Sequence, residues 1–401
     1  MKILFAGAYL PYPLNSGGRI RSYHLLKALA VRHEVHLLAL RHEDISEADL
    51  HVLRTVCGSV NVVPAPPRPT GPWPRVWRLV AHPEDIVVGR VSQEMERELR
   101  CRLETESWDL LFLDDLGMES YLRLAGRTPV LLSKHNSEWL LLRRLASQKS
   151  GRPLAWGLAW LEALAARRCE RRTAALVGGV IVTSETDRQA LLSCAPQSRV
   201  FVVPNGADTT YFHPEVRPTQ AESCLVFTGA MFWHPNVDAV SWFCQDVLPL
   251  IQRQEPHVRL EIVGREPPAA VQRLGELPGV HVTGSVGDVR PYLAQATVYV
   301  APLRTGSGTR LKILEALAAG RAVVSTSIGI EGLALVPGEE VIVSDEAVAF
   351  SRSVVELLQN PSKRDALEQA GRRVAVSLYD WPIVLADLNR MCAQMAGGRE
   401  E

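Results

Sequence analysis

Residues 301–320 read APLRTGSGTRLKILEALAAG, and this stretch decides the fold class of the chain. It predicts a buried strand, a glycine-containing loop, and a helix that begins near Thr309. Helix N-termini expose free N–H groups and carry a positive partial charge, so a phosphate fits there. Gly306 and Gly308 would let the backbone approach such a ligand closely.

Three charged residues lie at or near the start of this helix. Arg310 and Lys312 would add positive charge beside a phosphate, and Glu315 is placed to accept hydrogen bonds from ribose hydroxyls. The alternative is an ordinary strand–helix turn with surface cations. No G-K-[ST] follows the loop and no G-x-G-x-x-G follows the first strand, so neither common nucleotide-binding motif is present.

Apolar strand candidates alternate with helical patterns in both halves of the chain. The first half contains Lys2–Ala8, Val35–Leu40, Val60–Val63, Leu110–Leu113, Val130–Leu132 and Val180–Thr183. The second contains Cys224–Thr228, Arg259–Val263, Val280–Thr283, Val298–Ala301, Ala322–Ser325 and Glu340–Ile342. Ile20–Arg32, Asp238–Gln254 and Leu311–Ala319 are predicted helices. This alternation predicts an α/β chain with two doubly wound parallel sheets and a ligand cleft between them.

Composition indicates where the domains end. Scattered Pro, Asp and Thr in Asn205–Glu222 predict a linker between an N-terminal domain, 1–204, and a C-terminal domain, 223–378. The Pro-rich segment Pro64–Pro74 has too few N–H donors for a strand or helix interior. Residues 379–401 are expected to form a helix that packs back on the N-terminal domain.

Charge and cysteine content exclude several classes of function. Among 401 residues, 44 basic side chains balance 44 acidic ones, so no overall field would attract nucleic acid. The seven cysteines never occur in C-x-x-C spacing, which indicates a reducing cytoplasm without a disulfide framework. The longest apolar run, Ala174–Val182, is about half the ~20 residues that a membrane span needs. No histidine spacing predicts a metal site, and no cofactor is expected.

Five stretches together resemble glycosyltransferase family 4, whose members are retaining enzymes with the GT-B fold. The stretches are Thr305–Gly320, Ser16–Leu26, Lys134–Glu138 (KHNSE), Val203–Asp208 (VPNGAD) and Val280–Leu293. Their order and spacing match the family across nearly the whole chain. The loop after Thr305 and Trp233–Asp238 look like a subgroup that is often associated with exopolysaccharide gene clusters.

This resemblance implies transfer of a sugar from a nucleoside diphosphate sugar to a hydroxyl, on a glycan or lipid-linked acceptor and without a metal ion. It implies that His135 faces the reacting carbon; without the resemblance, His135 would be interpreted as a capped loop histidine. Arg310 is the second candidate catalytic residue. The candidate donor-binding residues are Gly17, Gly18, Arg265, Thr283, Ser285, Gly306, Ser307, Gly308, Thr309, Lys312 and Glu315.

One departure from the family concerns the donor sugar. The family pattern is Glu-x7-Glu, and counting back from Glu315 puts Ser307 where the first glutamate belongs. That glutamate usually contacts the sugar. Its loss makes a second function plausible, a catalytically silent GT-B binding module of a polysaccharide complex. A third alternative, a sugar-nucleotide epimerase, shares the fold but would need carboxylates for proton abstraction near the anomeric carbon, and Ser307 weakens that alternative.

A second departure concerns the diphosphate. The family commonly carries an Arg and a Lys on the loop after the first strand of the C-terminal domain, but Gly229–Asn236 has neither. Arg310, Lys312 and Arg265 are the candidates to supply that charge. Because Arg310 would lie in the first turn of its helix, it is expected to have better access than Lys312.

The segment Trp139–Arg172 mixes tryptophans with many arginines. Aromatic side chains on one side and cations on the other would suit peripheral attachment to anionic lipid. The alternative is a core-packed helix pair with a solvated basic face. The predicted location is the cytoplasm, at the inner face of the plasma membrane if the acceptor is lipid-linked.

Overall fold

Two compact units divide the chain in the computed structural model. Unit 1 comprises residues 1–204 and 385–401, and unit 2 comprises residues 205–384. The residues described by the structure are 1–42, 45–66, 91–147, 153–215, 223–306 and 308–397. Most of the Pro-rich segment Pro64–Pro74 and the residue Ser307 lie outside these ranges.

A parallel sheet forms the centre of unit 1. Its strands are β1 (Lys2–Gly7), β2 (Glu34–Arg41), β3 (Ser59–Pro64), β4 (Leu110–Asp114), β5 (Val130–Ser133), β6 (Gly179–Val182) and β7 (Val200–Val202). They lie in the order β3-β2-β1-β4-β5-β6-β7. β1, β4, β5 and β6 are almost completely buried, as expected for strands covered by helices on both faces. The strand order reverses at β1, so the carboxyl ends of β1 and β4 border the crevice where such sheets bind ligands.

The helices described in unit 1 connect these strands. They are α1 (Gly17–Ala30), α2 (Glu47–Arg54), α3 (Gln93–Thr105), α4 (Glu138–Ser147), α5 (Pro153–Leu176) and α6 (Glu185–Leu192), with a 3₁₀ helix at Leu116–Leu124. Ser46 caps α2 through a reciprocal pair of hydrogen bonds with Asp49, and the hydroxyl of Ser184 accepts from the N–H of Asp187 in α6. These caps satisfy N–H groups that a helix leaves without internal partners.

A second parallel sheet forms the centre of unit 2. Its strands are β8 (Cys224–Thr228), β9 (Arg259–Val263), β10 (Val280–Gly284), β11 (Val298–Ala301), β12 (Val323–Ser325) and β13 (Ile342–Val343). They lie in the order β10-β9-β8-β11-β12-β13, so the order reverses at β8. The helices of unit 2 are α7 (His234–Trp242), α8 (Leu248–Gln252), α9 (Ala269–Gln272), α10 (Arg290–Gln295), α11 (Leu311–Ala318), α12 (Ser327–Ile330), α13 (Ala347–Gln359), α14 (Pro361–Leu378) and α15 (Trp381–Val384).

The predicted α/β class with two doubly wound sheets is confirmed, and the details differ at several elements. The helix predicted over Asp238–Gln254 begins at His234, with Pro235 in its first turn, where proline's missing N–H costs nothing. It is also interrupted by a π turn at Phe243–Val247 just before Pro249, which cannot donate the regular helical hydrogen bond. α1 begins at Gly17, three residues earlier than predicted.

The described part of the predicted linker packs on unit 2. Ala207 pairs with Asp380 in an isolated parallel bridge, and Phe212 belongs to the same buried apolar cluster as Ile313 and Leu317. Residues 205–215 therefore belong to that unit although their composition is typical of a linker.

The last described helix, α16 (Leu388–Met395), belongs to unit 1. It contacts α1 and β5, and its Cys392 is fully buried. The sulfur of Met395 lies so close to Gly179 that a β-carbon there would come within 2.9 Å of it. Across the described ranges, no helix combines the length and apolar character that crossing a membrane requires.

Candidate functional site

Four side chains of unit 1 meet at the carboxyl ends of β1, β4 and β5. Tyr9 follows β1, Asp114 ends β4, Asp115 comes next, and His135 follows β5. Nε2 of His135 lies 3.0 Å from Oδ1 of Asp114, and Nδ1 lies 2.7 Å from the hydroxyl oxygen of Tyr9. With its proton on Nε2, the ring of His135 donates to Asp114 and accepts from Tyr9. This cluster lies beside the switch point of the sheet, where a ligand is expected.

The carboxylates around His135 favour its charged form. Burial alone would lower the pKa of His135, but the charge and hydrogen bond of Asp114, assisted by Asp115, raise it above its usual value. Burial would likewise raise the pKa of Asp114, but His135 and the hydroxyl of Ser22 lower it. The Asp114–His135 ion pair therefore persists to a higher pH than a free histidine would allow.

Both ring nitrogens of His135 have protein partners. A sugar hydroxyl can reach Nδ1 only by sharing it with Tyr9 or by replacing Tyr9. The ring is thus held in one orientation before any substrate arrives, which differs from the simple expectation of an imidazole with one nitrogen open to the sugar.

The glycine pair predicted as donor-binding begins α1. Gly17 is the first residue of the helix, and a β-carbon on Gly18 would collide with the hydroxyl of Tyr9 and lie 3.4 Å from Nδ1 of His135. Ser22, one turn further along, donates its hydroxyl to Asp114. Glycine at position 18 thus allows the start of α1 to approach the His135 cluster closely.

In unit 2, the ammonium group of Lys312 lies at the loop that follows β8. Nζ donates to Oδ1 of Asn236 at 2.7 Å and lies 4.1 Å from the centre of the Phe227 ring. A β-carbon on Gly229 would come within 2.5 Å of Nζ. Lys312 therefore reaches from α11 and brings its charge to the loop that has no Arg or Lys of its own.

Lys312 and Glu315 both have strongly shifted pKa values. Burial, assisted by Arg310, lowers the pKa of Lys312 to about 7, and Glu315 acts in the opposite direction. Burial raises the pKa of Glu315 to about 7, opposed by Lys312. No ion pair with either residue occurs in the part of the chain that the structure describes. At a pH near 7, a charge or hydrogen bond added by a ligand would therefore decide whether Lys312 and Glu315 are protonated.

Arg310 folds back on its own loop. It is the N-cap residue of α11, which begins at Leu311 rather than near Thr309, and its Nη1 donates to the carbonyl of Gly308 at 2.8 Å. Gly306 and Gly308 have φ values of 130° and 73°, a conformation that favours glycine. Of the two cations, Lys312 is the one whose described contacts reach the Gly229 loop; the expected ranking of Arg310 above Lys312 for access to the diphosphate stays a prediction. Ser307 is outside the described residues.

Two threonines of the loop before α11 differ in their hydrogen bonds. The hydroxyl of Thr309 accepts from the N–H of Asn205 at 3.2 Å, and its carbonyl accepts from Nδ2 of Asn205 at 3.0 Å. Thr309, predicted to bind the donor, thus anchors the loop to the VPNGAD motif. Oγ1 of Thr305 is buried and has no hydrogen-bond partner among the described residues.

The other predicted donor residues lie at the ends of β9 and β10. The guanidinium of Arg265 lies 5.3 Å from the Phe232 ring centre, and the backbone carbonyl of Arg265 accepts from Met231 in the loop after β8. The hydroxyl of Thr283 donates to the carbonyl of Gly284, and Ser285 is exposed just beyond the strand. The structure brings these residues to the same sheet edge as Lys312 without direct contact to it.

Sequence reasoning missed Tyr9, Asp114, Asp115 and Asn236. The two aspartates directly follow an apolar strand, so their position at a carboxyl end was available as a signal. Tyr9 and Asn236 carry no comparable signal, because each acts through a residue far away in sequence. No group of three or more His, Cys, Asp or Glu side chains that could hold a metal ion occurs within the described ranges.

Comparison with known proteins gives family matches in both halves. The model of Glycosyltransferase Family 4 matches residues 16–211, and the model of glycosyl transferases group 1 matches residues 222–360. An uncharacterized 44.6 kDa protein in the cps region of Klebsiella pneumoniae is 21% identical over 378 residues, which are 90% of this chain and 92% of the relative.

Solved structures share the fold over nearly the whole chain. Sucrose-phosphate synthase from Thermosynechococcus elongatus superposes with a TM-score of 0.75 at 16% identity, covering 99% of this chain and 100% of the other. Anabaena Alr3699/HepE in complex with UDP and glucose gives 0.65 at 15% identity, with 98% and 100% coverage.

Proposed function

The chain belongs to glycosyltransferase family 4, and on that premise we propose that it transfers a hexosyl group from a nucleoside diphosphate sugar to a hydroxyl acceptor, with retained anomeric configuration. The observation that carries this proposal is the ammonium of Lys312 at the Gly229 loop, with Glu315 on the next turn of the same helix. A departing nucleoside diphosphate gains negative charge, and each charge-assisted hydrogen bond to it contributes about 1.5–3 kcal/mol.

Unit 1 supplies the groups for the sugar. In a retaining transfer without a protein nucleophile, the leaving diphosphate and the incoming hydroxyl meet the same face of the sugar. The protein must then orient the ring and stabilise positive character at the anomeric carbon. His135, fixed between Asp114 and Tyr9, is suited to orient the sugar. The adjacent carboxylates favour positive charge at the anomeric carbon.

The proposed pathway is exopolysaccharide or cell-surface glycan biosynthesis. A relative from a cps region supports this assignment, and the complex of HepE with UDP and glucose makes uridine diphosphate sugars the first donors to test. We propose a glycan or lipid-linked acceptor and a cytoplasmic reaction at the inner face of the membrane. The seven cysteines, all free, support a reducing compartment.

The proposal is tested by incubating the protein with sugars of UDP, GDP, ADP and dTDP and measuring released diphosphate, with EDTA present to test metal independence. A thermal-shift series with the four free diphosphates identifies the base, since a ligand at a hundredfold excess over its Kd stabilises the fold by about 2.7 kcal/mol. NMR of the product gives the anomeric configuration. Epimerised sugar nucleotide without acceptor transfer would indicate an epimerase. Binding without turnover, across a panel of glycan and lipid-linked acceptors, would indicate a binding module.

A further inference from the structure

Helix α5 of unit 1 has an exposed apolar face. Leu154, Leu158, Leu161 and Leu164 are 86%, 42%, 54% and 38% exposed. Spaced three or four residues apart, they lie on one side of the helix, and we call them the leucine face. Isolated exposed leucines are ordinary, but a contiguous apolar face on a helix marks an interaction site.

The same side of α5 becomes cationic towards its C-terminus. Arg168, Arg171 and Arg172 are exposed and continue the spacing of the leucines; we call them the arginine belt. The acidic side chains of α5, Glu162 and Glu170, are 5% and 1% exposed. Across the described side chains of this helix, the exposed surface therefore carries charge of one sign only, in a protein whose total charge is balanced.

The opposite side of α5 already makes the core contacts of the helix. Oε1 of Glu170 lies 3.2 Å from Nζ of Lys134 and accepts from the N–H of Trp139. Ala163 and Ala166 are fully buried in a cluster with Trp139. The described core contacts of α5 within unit 1 thus do not use the leucine face, which argues against the interpretation of this segment as a core-packed pair with a merely solvated basic face.

We propose that α5 docks on a membrane surface that contains anionic lipids, with the leucine face in the interfacial region and the arginine belt at the headgroups. Apolar side chains that enter the interface and basic ones that bind anionic headgroups are the two terms that drive such attachment. A second copy of this chain fits less well, because the same face of a second α5 would offer the arginine belt no exposed carboxylate. Docking needs neither donor nor acceptor, so its test is independent of the proposed transferase function.

The test is co-sedimentation with vesicles, without any nucleotide sugar. One preparation is pure phosphatidylcholine and the other contains 30 mol% phosphatidylglycerol, on the order of the anionic content of a bacterial membrane. The protein is expected to bind the anionic vesicles and to be released by salt. Leu158→Gln/Leu161→Gln should weaken binding about tenfold or more, and Arg168→Gln/Arg172→Gln should weaken it about fivefold per arginine.

Matched controls use residues with similar exposure in unit 2. Leu378 is 49% exposed and Arg253 is exposed, so Leu378→Gln and Arg253→Gln should bind vesicles like the unchanged protein. Unchanged circular dichroism and melting temperature verify that the α5 variants are folded. Absence of binding, equal binding to both vesicles, or equal effects of control and α5 variants would overturn the proposal. Self-association without lipid that the leucine substitutions abolish would overturn it in favour of a second copy.

Discussion

The clusters at the strand ends of the two units hold their charged groups in opposite ways. In unit 1, His135 lies between the carboxylate of Asp114 and the hydroxyl of Tyr9, and each partner comes from the end of a different strand. In unit 2, the described partner of Lys312 is the neutral amide of Asn236, and Glu315 has no described ion pair.

This difference indicates different tasks. Unit 1 supplies both hydrogen-bond partners of the His135 ring, so its geometry is fixed in advance and suits orientation of a reacting group. Unit 2 leaves Lys312 and Glu315 with pKa values of about 7, and in the proposed function a bound diphosphate fixes the charge of Lys312 and ribose hydroxyls fix that of Glu315. Substitutions in unit 1 should therefore change turnover, and substitutions in unit 2 should change diphosphate binding.

The largest effect is expected for His135→Ala. We expect kcat to fall by about 10²–10⁴-fold, the usual range for a positioned acid–base or orienting group. Diphosphate affinity, measured by calorimetry, should barely change because the proposed diphosphate contacts lie in unit 2. His257→Ala, at an exposed position, is the matched control. Near-native turnover in the His135 variant would remove this residue from the reaction.

The next largest effect is expected for Glu315→Ala. Loss of the carboxylate that accepts ribose hydroxyls should weaken diphosphate binding by about 2–4 kcal/mol, the cost of truncating charge-assisted hydrogen bonds. Glu315→Gln keeps an acceptor oxygen and should lose only part of this. The measurement is calorimetric Kd on protein whose melting temperature is recorded in parallel. Unchanged affinity in folded Glu315→Ala would end the assignment.

Lys312 and Arg310 test which cation serves the diphosphate. Lys312→Met removes the charge at the Gly229 loop while keeping the stem over Phe227, and it should weaken diphosphate binding by about 1.5–3 kcal/mol. Arg310→Met should lose less, because its guanidinium is turned to the carbonyl of Gly308. A larger loss for Arg310→Met would restore the ranking expected from its position in the sequence, and equal mild losses would point to Arg265.

The sheets could be predicted from sequence because each is built from buried apolar runs separated by helices. β7 was not predicted, since Val200–Val202 is only three residues long and half-buried. The described part of the linker was misassigned because its contacts, such as Ala207 with Asp380, join residues far apart in the chain. Composition reports local flexibility, whereas such contacts are set by tertiary packing.

The candidate site was predictable where one motif contains the chemistry. Glu315 and Lys312 follow from their spacing after the glycine loop, and His135 from its strand end. The partner that directs Lys312, Asn236, lies 76 residues away, and Tyr9 lies 126 residues from His135. No local pattern encodes those pairs, so helix position alone could not show that the ammonium of Lys312 reaches the Gly229 loop.

The decrease of kcat at low pH tests the protonation state of His135 in unit 1. The carboxylates beside His135 raise its pKa, so activity that depends on neutral imidazole should begin to fall above the ordinary value of about 6.5 as pH decreases. Below that midpoint, kcat should drop about tenfold per pH unit. The profile is measured under saturating donor between pH 5 and pH 8, spanning the usual histidine range. A midpoint at or below about 6.5 would mean that the carboxylates do not raise the pKa of His135 in the working enzyme, and constant turnover across this range would mean that neutral His135 is not required.

The smallest effect is expected in the pH dependence of diphosphate binding, because two shifts in unit 2 oppose each other. With a pKa of about 7, Lys312 loses its charge above neutrality, which weakens binding of an anion. Glu315, with a raised pKa also about 7, becomes a carboxylate over the same range and accepts ribose hydroxyls better. The unchanged protein should therefore show a nearly flat Kd between pH 7 and pH 9, where the diphosphate itself no longer titrates, since a phosphate's second pKa is about 6.

Single substitutions should separate the two opposing contributions. In Glu315→Gln, the pKa of Lys312 falls further because its favourable partner is gone. The affinity for diphosphate should then decrease by up to about tenfold for each unit by which the pH increases. In Lys312→Met, the pKa of Glu315 rises, and affinity should instead improve as pH increases through the range where the carboxyl ionises. Calorimetry in buffers of different ionisation enthalpy reports the sign directly, as proton uptake for Glu315→Gln and proton release for Lys312→Met. The same sign in both variants would show that these two residues do not titrate with the ligand.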